Sequence, residues 1–248
     1  MKRKPKRGFL TALLIGFDEN YFHTWKVYSH SLRVYKNIRL VRKWKYLDTK
    51  QKYHVLEELV NLIRFVIQDG LKSILLASPP KTDYSAKFLE HINKHHQWLV
   101  RSRGYNQVSI GEIVGTANNL DSATYLISQE KSLDIIQETT SDEVGLLVNQ
   151  LNKIINIGDP DKLLLYNLEE IESLIYGRGK KDKTAAEKLD FLIVTEGFIN
   201  NNKNKNRIHR LLQIAKNKGI ITKTISIENP ASDRFNQFGG ILAFKESN

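Results

Sequence analysis

A largely apolar run occupies residues 10–17 and stops at the turn-formers Asp18, Glu19 and Asn20. Residues 21–41 then alternate apolar and polar positions and are rich in Tyr, Trp and Val, so the opening stretch predicts an antiparallel meander. The period then changes. Tyr53, Leu56, Leu59, Val60, Ile63, Val66 and Ile67 recur at helical spacing behind Asp48 or Thr49, either of which can cap. After Gly70 comes a buried strand over residues 73–77, ended by Pro79 and Pro80, and then a helix over residues 84–95 with Phe88, Leu89 and Ile92 inward. Strands first, then strand and helix in alternation, predict a mixed sheet with helices.

From Ser141 the pattern restarts. Val144, Leu147, Val148, Leu151, Ile154 and Ile155 predict an amphipathic helix, followed by a short strand at 163–166 and a helix at 168–175. A glycine-rich, charged loop spans residues 176–183. Beyond it, strands at 191–195, 220–227 and 241–244 and a helix at 207–217 predict a small three-layer α/β domain with a largely parallel sheet. The chain is thus read as an α/β protein of two domains: a basic arm (residues 1–8), a first domain (9–135) and a second (136–248), with the boundary between residues 130 and 141.

Charge changes this picture more than composition does. The net charge is +11, with 38 Lys or Arg against 27 Asp or Glu. Residues 1–52 hold 14 of those cations and 3 of the acids, while residues 53–248 hold 24 of each. The whole excess therefore belongs to the first fifth of the chain and points to an anionic partner there. With no cysteine, a disulfide framework, a thiolate metal site and a cysteine nucleophile are all excluded. The opening MKRKPKRGFLTALLIGF imitates a signal peptide, but DENYFH stands where a small-residue cleavage site belongs. No apolar run approaches the roughly 18 residues of a membrane span, so a soluble, cytoplasmic protein without membrane contact is expected.

Residues 39–52 interleave the six cations Arg39, Arg42, Lys43, Lys45, Lys50 and Lys52 with Trp44, Tyr46 and Asp48. Cations that neutralise phosphates beside aromatic faces that stack on unpaired bases are the means of single-stranded RNA recognition. Lys2, Arg3, Lys4, Lys6 and Arg7 extend that surface if the arm folds alongside. The opposing reading is a solvated loop with Trp44 packed on the core. Other motifs carry less. His91, His95 and His96 lie on one helix, and the His91–His95 pair has the spacing to share a metal, but no Glu lies between them as in His-Glu-x-x-His and no third ligand is fixed nearby. They are read as surface or packing histidines, and no metal or other cofactor is expected. Asp18 and Glu19 are read as a hairpin turn in preference to a Mg²⁺ site. Gly177, Gly179 and Lys180 lack phosphate-loop spacing, and Ser78 lacks a nucleophile elbow. Gly239 and Gly240, before the last strand, permit positive φ or close backbone approach.

The order LLLYNLEEIESLI, LDFLIVTEGFI, RLLQIAKNKGIITKTISIENPASDRFNQFGGILAF resembles the third domain of the archaeal and eukaryotic class-one peptide-chain release factors and of Pelota. ALLIGFDENYFHTWKVYSHSLRV, the long helix and ILLASPPKTDYSAKFLEHI resemble their central domain, so the likeness spans about residues 9–246. It implies an RNase H-like, mixed-sheet central-type domain followed by the smaller third-type domain. Two departures limit the transfer. The codon-reading domain has no counterpart within the ten residues before the first strand, which implies no reading of stop codons. The Gly-Gly-Gln element is also missing, because Gly8 and Gly16 are the glycines before residue 70.

What remains resembles the Vms-like release-factor group of ribosome-associated quality control, whose active members separate stalled nascent chains from tRNA. The resemblance implies a factor acting on the ribosomal large subunit and on tRNA or rRNA, with a protein partner recruited through the third domain. Gln51 occupies the strand-to-helix junction where the family carries its glutamine, and is the candidate catalytic residue by position. Without the glycines it falls on the first helical turn, where glutamine is also an ordinary helix former. Peptidyl-tRNA hydrolysis, tRNA cleavage and rescue by binding alone all remain open at this level. Catalysis requires a loop that projects Gln51; a pinned side chain at a helix start belongs to a binder.

Overall fold

The structure is a computed structural model that describes residues 8–101, 107–157, 163–177 and 189–245. The chain divides into two compact units, residues 1–143 and 144–248.

In the first unit, β1 (Leu10–Phe17), β2 (Tyr21–Tyr28) and β3 (Ser31–Arg39) form the meander, with β1–β2 and β2–β3 antiparallel. The alternating stretch is split by a turn at Ser29 and His30. A short 3₁₀ turn (Trp44–Tyr46) leads into α1 (Thr49–Gln68). Then follow β4 (Ser73–Ser78), α2 (Tyr84–His95), the short α3 (Trp98–Arg101), β5 (Ser109–Val114), α4 (Leu120–Ser128) and α5 (Glu130–Ile157). Strand order is β3-β2-β1-β4-β5, with β4 parallel to both β1 and β5. β1 is central and therefore apolar on both faces. Leu13, Ile15 and Phe17 pack with α1 and α2 through Leu59, Val60, Ile63, Phe88 and Ile92. Ala12 and Leu14 face the opposite layer with Trp25, Ala117, Ala123 and Leu126.

In the second unit, β6 (Leu164–Leu165), α6 (Leu168–Tyr176), β7 (Phe191–Thr195), α7 (Glu196–Asn201), α8 (Lys205–Asn217), β8 (Ile221–Ile225), α9 (Ser232–Asn236) and β9 (Ile241–Phe244) build a sheet ordered β6-β9-β7-β8. One face is covered by α6 and α8 through Ile171, Ile175, Ile208, Leu211 and Ala215.

Two expectations are corrected. The sheet of the second unit is mixed rather than largely parallel: only β7–β8 is parallel, and β9 runs antiparallel between β6 and β7. The glycine pair is the reason. Gly239 and Gly240 have φ of 87° and 81°, which turns the chain sharply from α9 back along β7. The helix expected to start at Ser141 is part of α5, which begins at Glu130 and contributes residues to both units. Residues 130–144 contain neither Pro nor Gly to stop it. The hydroxyls of Thr139 and Thr140 donate back to the Ile135 and Ile136 carbonyls within the helix instead of capping a new one.

Candidate nucleic-acid interface

Each end of the 39–52 junction is fixed by ordinary local chemistry. At the near end Asp18 Oδ1 accepts from the backbone N–H groups of Asn20 and Tyr21, both at 2.7 Å, and its Oδ2 lies 3.0 Å from His23 Nε2. Asp18 is thus a turn residue, as its position predicts. Leu40 N–H donates to the Asn20 carbonyl and Trp44 N–H to that of Glu19, so the chain leaving β3 is held against the β1–β2 turn. At the far end Asp48 is the N-cap of α1 in a reciprocal capping box. Gln51 N–H donates to Asp48 Oδ1 at 2.8 Å, and Asp48 N–H donates to Gln51 Oε1 at 3.1 Å. Gln51 is therefore bound back on the helix start, half-buried, and does not project on a loop.

Between these ends the side chains sort by burial. Leu40, Trp44 and Leu47 point inward. Trp44 is only 5% exposed and packs against Phe22 and Tyr84, with ring centroids 5.6 and 5.9 Å away, while the Lys52 ammonium sits 5.3 Å from its ring. The expected stacking platform is thus a core residue, because the short 3₁₀ turn directs it under α1. Tyr46, 64% exposed, is the aromatic that this segment presents outward.

Arg39, Arg42, Lys45 and Lys50 are exposed, and Lys52 is half-buried. Lys43 is exposed too, but its ammonium pairs with Glu19 at 2.7 Å. The hydrogen bond and attraction between them raise the Lys43 pKa and lower that of Glu19. The segment thus offers a row of cations around Tyr46, with Lys43 partly neutralised. Lys2, Arg3, Lys4, Lys6 and Arg7, expected to extend the row, lie outside the described residues. So does most of the basic loop after Gly177.

A groove of about 290 Å³ beside the junction is lined by Trp44, Thr49, Lys52, Tyr53, Lys87 and Lys94, with His91 and His95 on its wall. Lys87 and Lys94 are additional cations that the sequence reading missed. Their signal was the helical spacing 87, 91, 94, which puts both lysines on the His91 face of α2. Lys87 also pairs with Glu90 at 2.9 Å, which raises its pKa.

The three histidines are arranged differently from the i, i+4 expectation. His91 and His96, not His91 and His95, converge on a common group: their Nε2 atoms lie 2.9 and 2.6 Å from Glu57 Oε1 on α1. His95 instead meets Tyr53 edge-on, with centroids 5.2 Å apart. Burial opposes the Glu57 charge, but hydrogen bonds and attraction from His96 and then His91 carry its pKa below the ordinary value. Desolvation lowers the His91 pKa against the raising effect of Glu57. Glu57 was invisible as the partner of the two histidines because 34 and 39 residues separate it from them.

No protein-family model and no curated protein sequence matches the chain. Among solved structures it is similar to the Pelota of a model of ribosome-bound archaeal Pelota and ABCE1, at 11% identity over 99% of this chain and 63% of that one, with a TM-score of 0.53. It also aligns with Dom34 of S. cerevisiae, described as a translation termination-like factor involved in RNA quality control, at 16% identity over 95% and 62% of the two chains and a TM-score of 0.48. An alignment with the archaeal translation termination factor aRF1 covers 94% and 61% at 13% identity, with a TM-score of 0.32. The chain spans a little over three fifths of the length of each. At such identity the likeness is one of fold: a mixed α/β chain with two mixed sheets.

Proposed function

We propose that this protein is a release-factor-like component of translation quality control that binds ribosomes in the cytoplasm, and that it acts by binding and not by hydrolysis. The fold shared with Pelota supports the translation setting. The glutamine at the strand-to-helix junction, Gln51, supports placing it with the Vms-like group. In this reading Arg39, Arg42, Lys45 and Lys50 neutralise phosphates of ribosomal RNA or of a tRNA acceptor end on the large subunit, and Tyr46 stacks on an unpaired base. The second unit recruits a protein partner. One observation carries the non-catalytic reading. A glutamine that is to polarise an ester or position water must reach the reacting carbonyl, whereas Gln51 spends its carbonyl oxygen on the Asp48 N–H at the start of α1.

Purified protein, incubated with large subunits carrying peptidyl-tRNA, tests both parts. Comigration with the subunits at low salt and an intact peptidyl-tRNA are expected. Failure to comigrate overturns the ribosomal assignment. Release of the peptide that disappears in Gln51→Ala overturns the binding-only assignment and restores the hydrolase reading.

A further inference from the structure

The Glu57–His91–His96 cluster is built from three parts of the first unit. α1 supplies Glu57, α2 supplies His91, and His96 sits at the C-cap of α2, where the chain leaves helical geometry at φ −134° and ψ 43°. That departure swings His96 back beside His91, with ring centroids 5.4 Å apart. The two imidazoles are nearly fully buried, and the Glu57 side chain, 23% exposed, is the part of the cluster open to solvent. Among the described residues, this is the group of three whose ligand atoms all lie within 4.8 Å of one another.

We infer that Glu57, His91 and His96 form a binding site for a divalent transition metal, with Zn²⁺ the best fit. Two imidazole nitrogens and one carboxylate oxygen are a donor set that Zn²⁺ uses in three-ligand sites, leaving the fourth position to water. The geometry needs little adjustment. Ligand distances of about 2.0–2.2 Å in a tetrahedron put donor atoms roughly 3.3 Å apart. The Nε2-to-Oε1 distances of 2.6 and 2.9 Å are shorter than that. A rotation of the Glu57 side chain, the most exposed of the three, opens them. Each histidine then coordinates through Nε2 as a neutral imidazole, its proton moving to Nδ1, or leaving to solvent where the ring was charged. The metal staples the first half of α1 to the end of α2. It also adds positive charge behind the groove lined by Lys52, Lys87 and Lys94.

The site is tested without ribosomes, so its failure is separable from that of the ribosomal proposal. The chelator-stripped full chain is titrated with Co²⁺, followed by visible absorption, and then with Zn²⁺ in competition. One Co²⁺ per chain with the strong absorption of tetrahedral coordination, displaced by Zn²⁺, is expected. Glu57→Gln and His96→Gln are each expected to weaken binding at least about tenfold. His95→Ala, which removes the neighbouring imidazole outside the triad, is expected to leave binding unchanged. Far-UV circular dichroism verifies that each variant is folded. A wild-type chain that gives no tetrahedral Co²⁺ spectrum overturns the inference whatever the variants do. So does binding that survives in a folded His96→Gln chain.

Discussion

The junction shows how single side chains divide the work of holding a fold and presenting a surface. Gln51 and Asp48 each close one orphan donor at the start of α1. Replacing Asp48 by Ala removes the cap acceptor and is expected to cost about 1–2 kcal/mol, and Gln51→Ala, which opens only the reciprocal bond, about 0.5–1 kcal/mol. Trp25, Trp44 and Trp98 all lie in the first unit, so intrinsic tryptophan fluorescence during urea unfolding reads that unit. The same measurement separates the two aromatics of the junction. Tyr46→Ala, at an exposed position, is expected to stay within about 0.5 kcal/mol of wild type. Trp44→Ala empties a buried site against Phe22 and Tyr84 and is expected to cost about 3–5 kcal/mol, read through the remaining tryptophans. If the proposed RNA contact holds, its loss should invert this ranking per unit of lost stability, because of these two aromatics Tyr46 is the exposed one, with the Lys45 ammonium 5.0 Å from its ring.

At the scale of elements, what the sequence made legible follows period and local punctuation. The apolar positions of α1 from Leu56 to Ile67 are buried as their spacing predicts, and Asp48 caps as its type predicts. The strand order around β1 and the position of β9 were not legible, since both depend on pairings between distant segments. The restart expected at Ser141 lies inside α5, where the Thr139 and Thr140 hydroxyls turn onto the preceding turn. Trp44, expected on the RNA-facing surface, is core instead, because cations flank a buried and an exposed indole alike. The Glu57 cluster is hidden for the same long-range reason as β9. The positive φ of the glycine pair before β9 was legible from residue type alone, although the strand direction it permits was not. Gly240 has φ 81°, and an added Cβ would lie 2.8 Å from Thr195 Oγ1 and 2.9 Å from Phe198 Cβ. Gly240→Ala therefore combines backbone strain with overlap at the β7–α7 corner and is expected to destabilise the second unit by about 2–4 kcal/mol. With no tryptophan in that unit, the loss is to be read by amide exchange of β7 and β9, which should accelerate while β1 and β4 stay protected.

Over the whole molecule the decisive quantity is where the charge lies. The second unit and the remainder of the first carry balanced charge, 24 cations against 24 acids over residues 53–248. An electrostatic partner should therefore be felt through the first 52 residues. Each phosphate neutralised on a single strand contributes about 0.7 to the slope of log K against log salt. Replacing Arg39, Arg42 and Lys45 together by Ala is thus expected to flatten the slope for a single-stranded RNA probe by about 2. Replacing Lys203, Lys205 and Lys218 in the second unit should leave it unchanged, although the same number of charges is removed. Lys43 gives a sharper test of the geometry. Its ammonium already sits 2.7 Å from Glu19, so it has less to offer a phosphate than Arg42 does. Lys43→Ala is expected to weaken binding less than Arg42→Ala, and Glu19→Gln, which releases Lys43, to strengthen it. If all three junction substitutions leave the slope intact, the cations are a solvated rim and the RNA surface must be sought elsewhere. If Glu19→Gln tightens binding while the slope steepens, the anion meets the junction itself, on the face where Glu19 restrains Lys43.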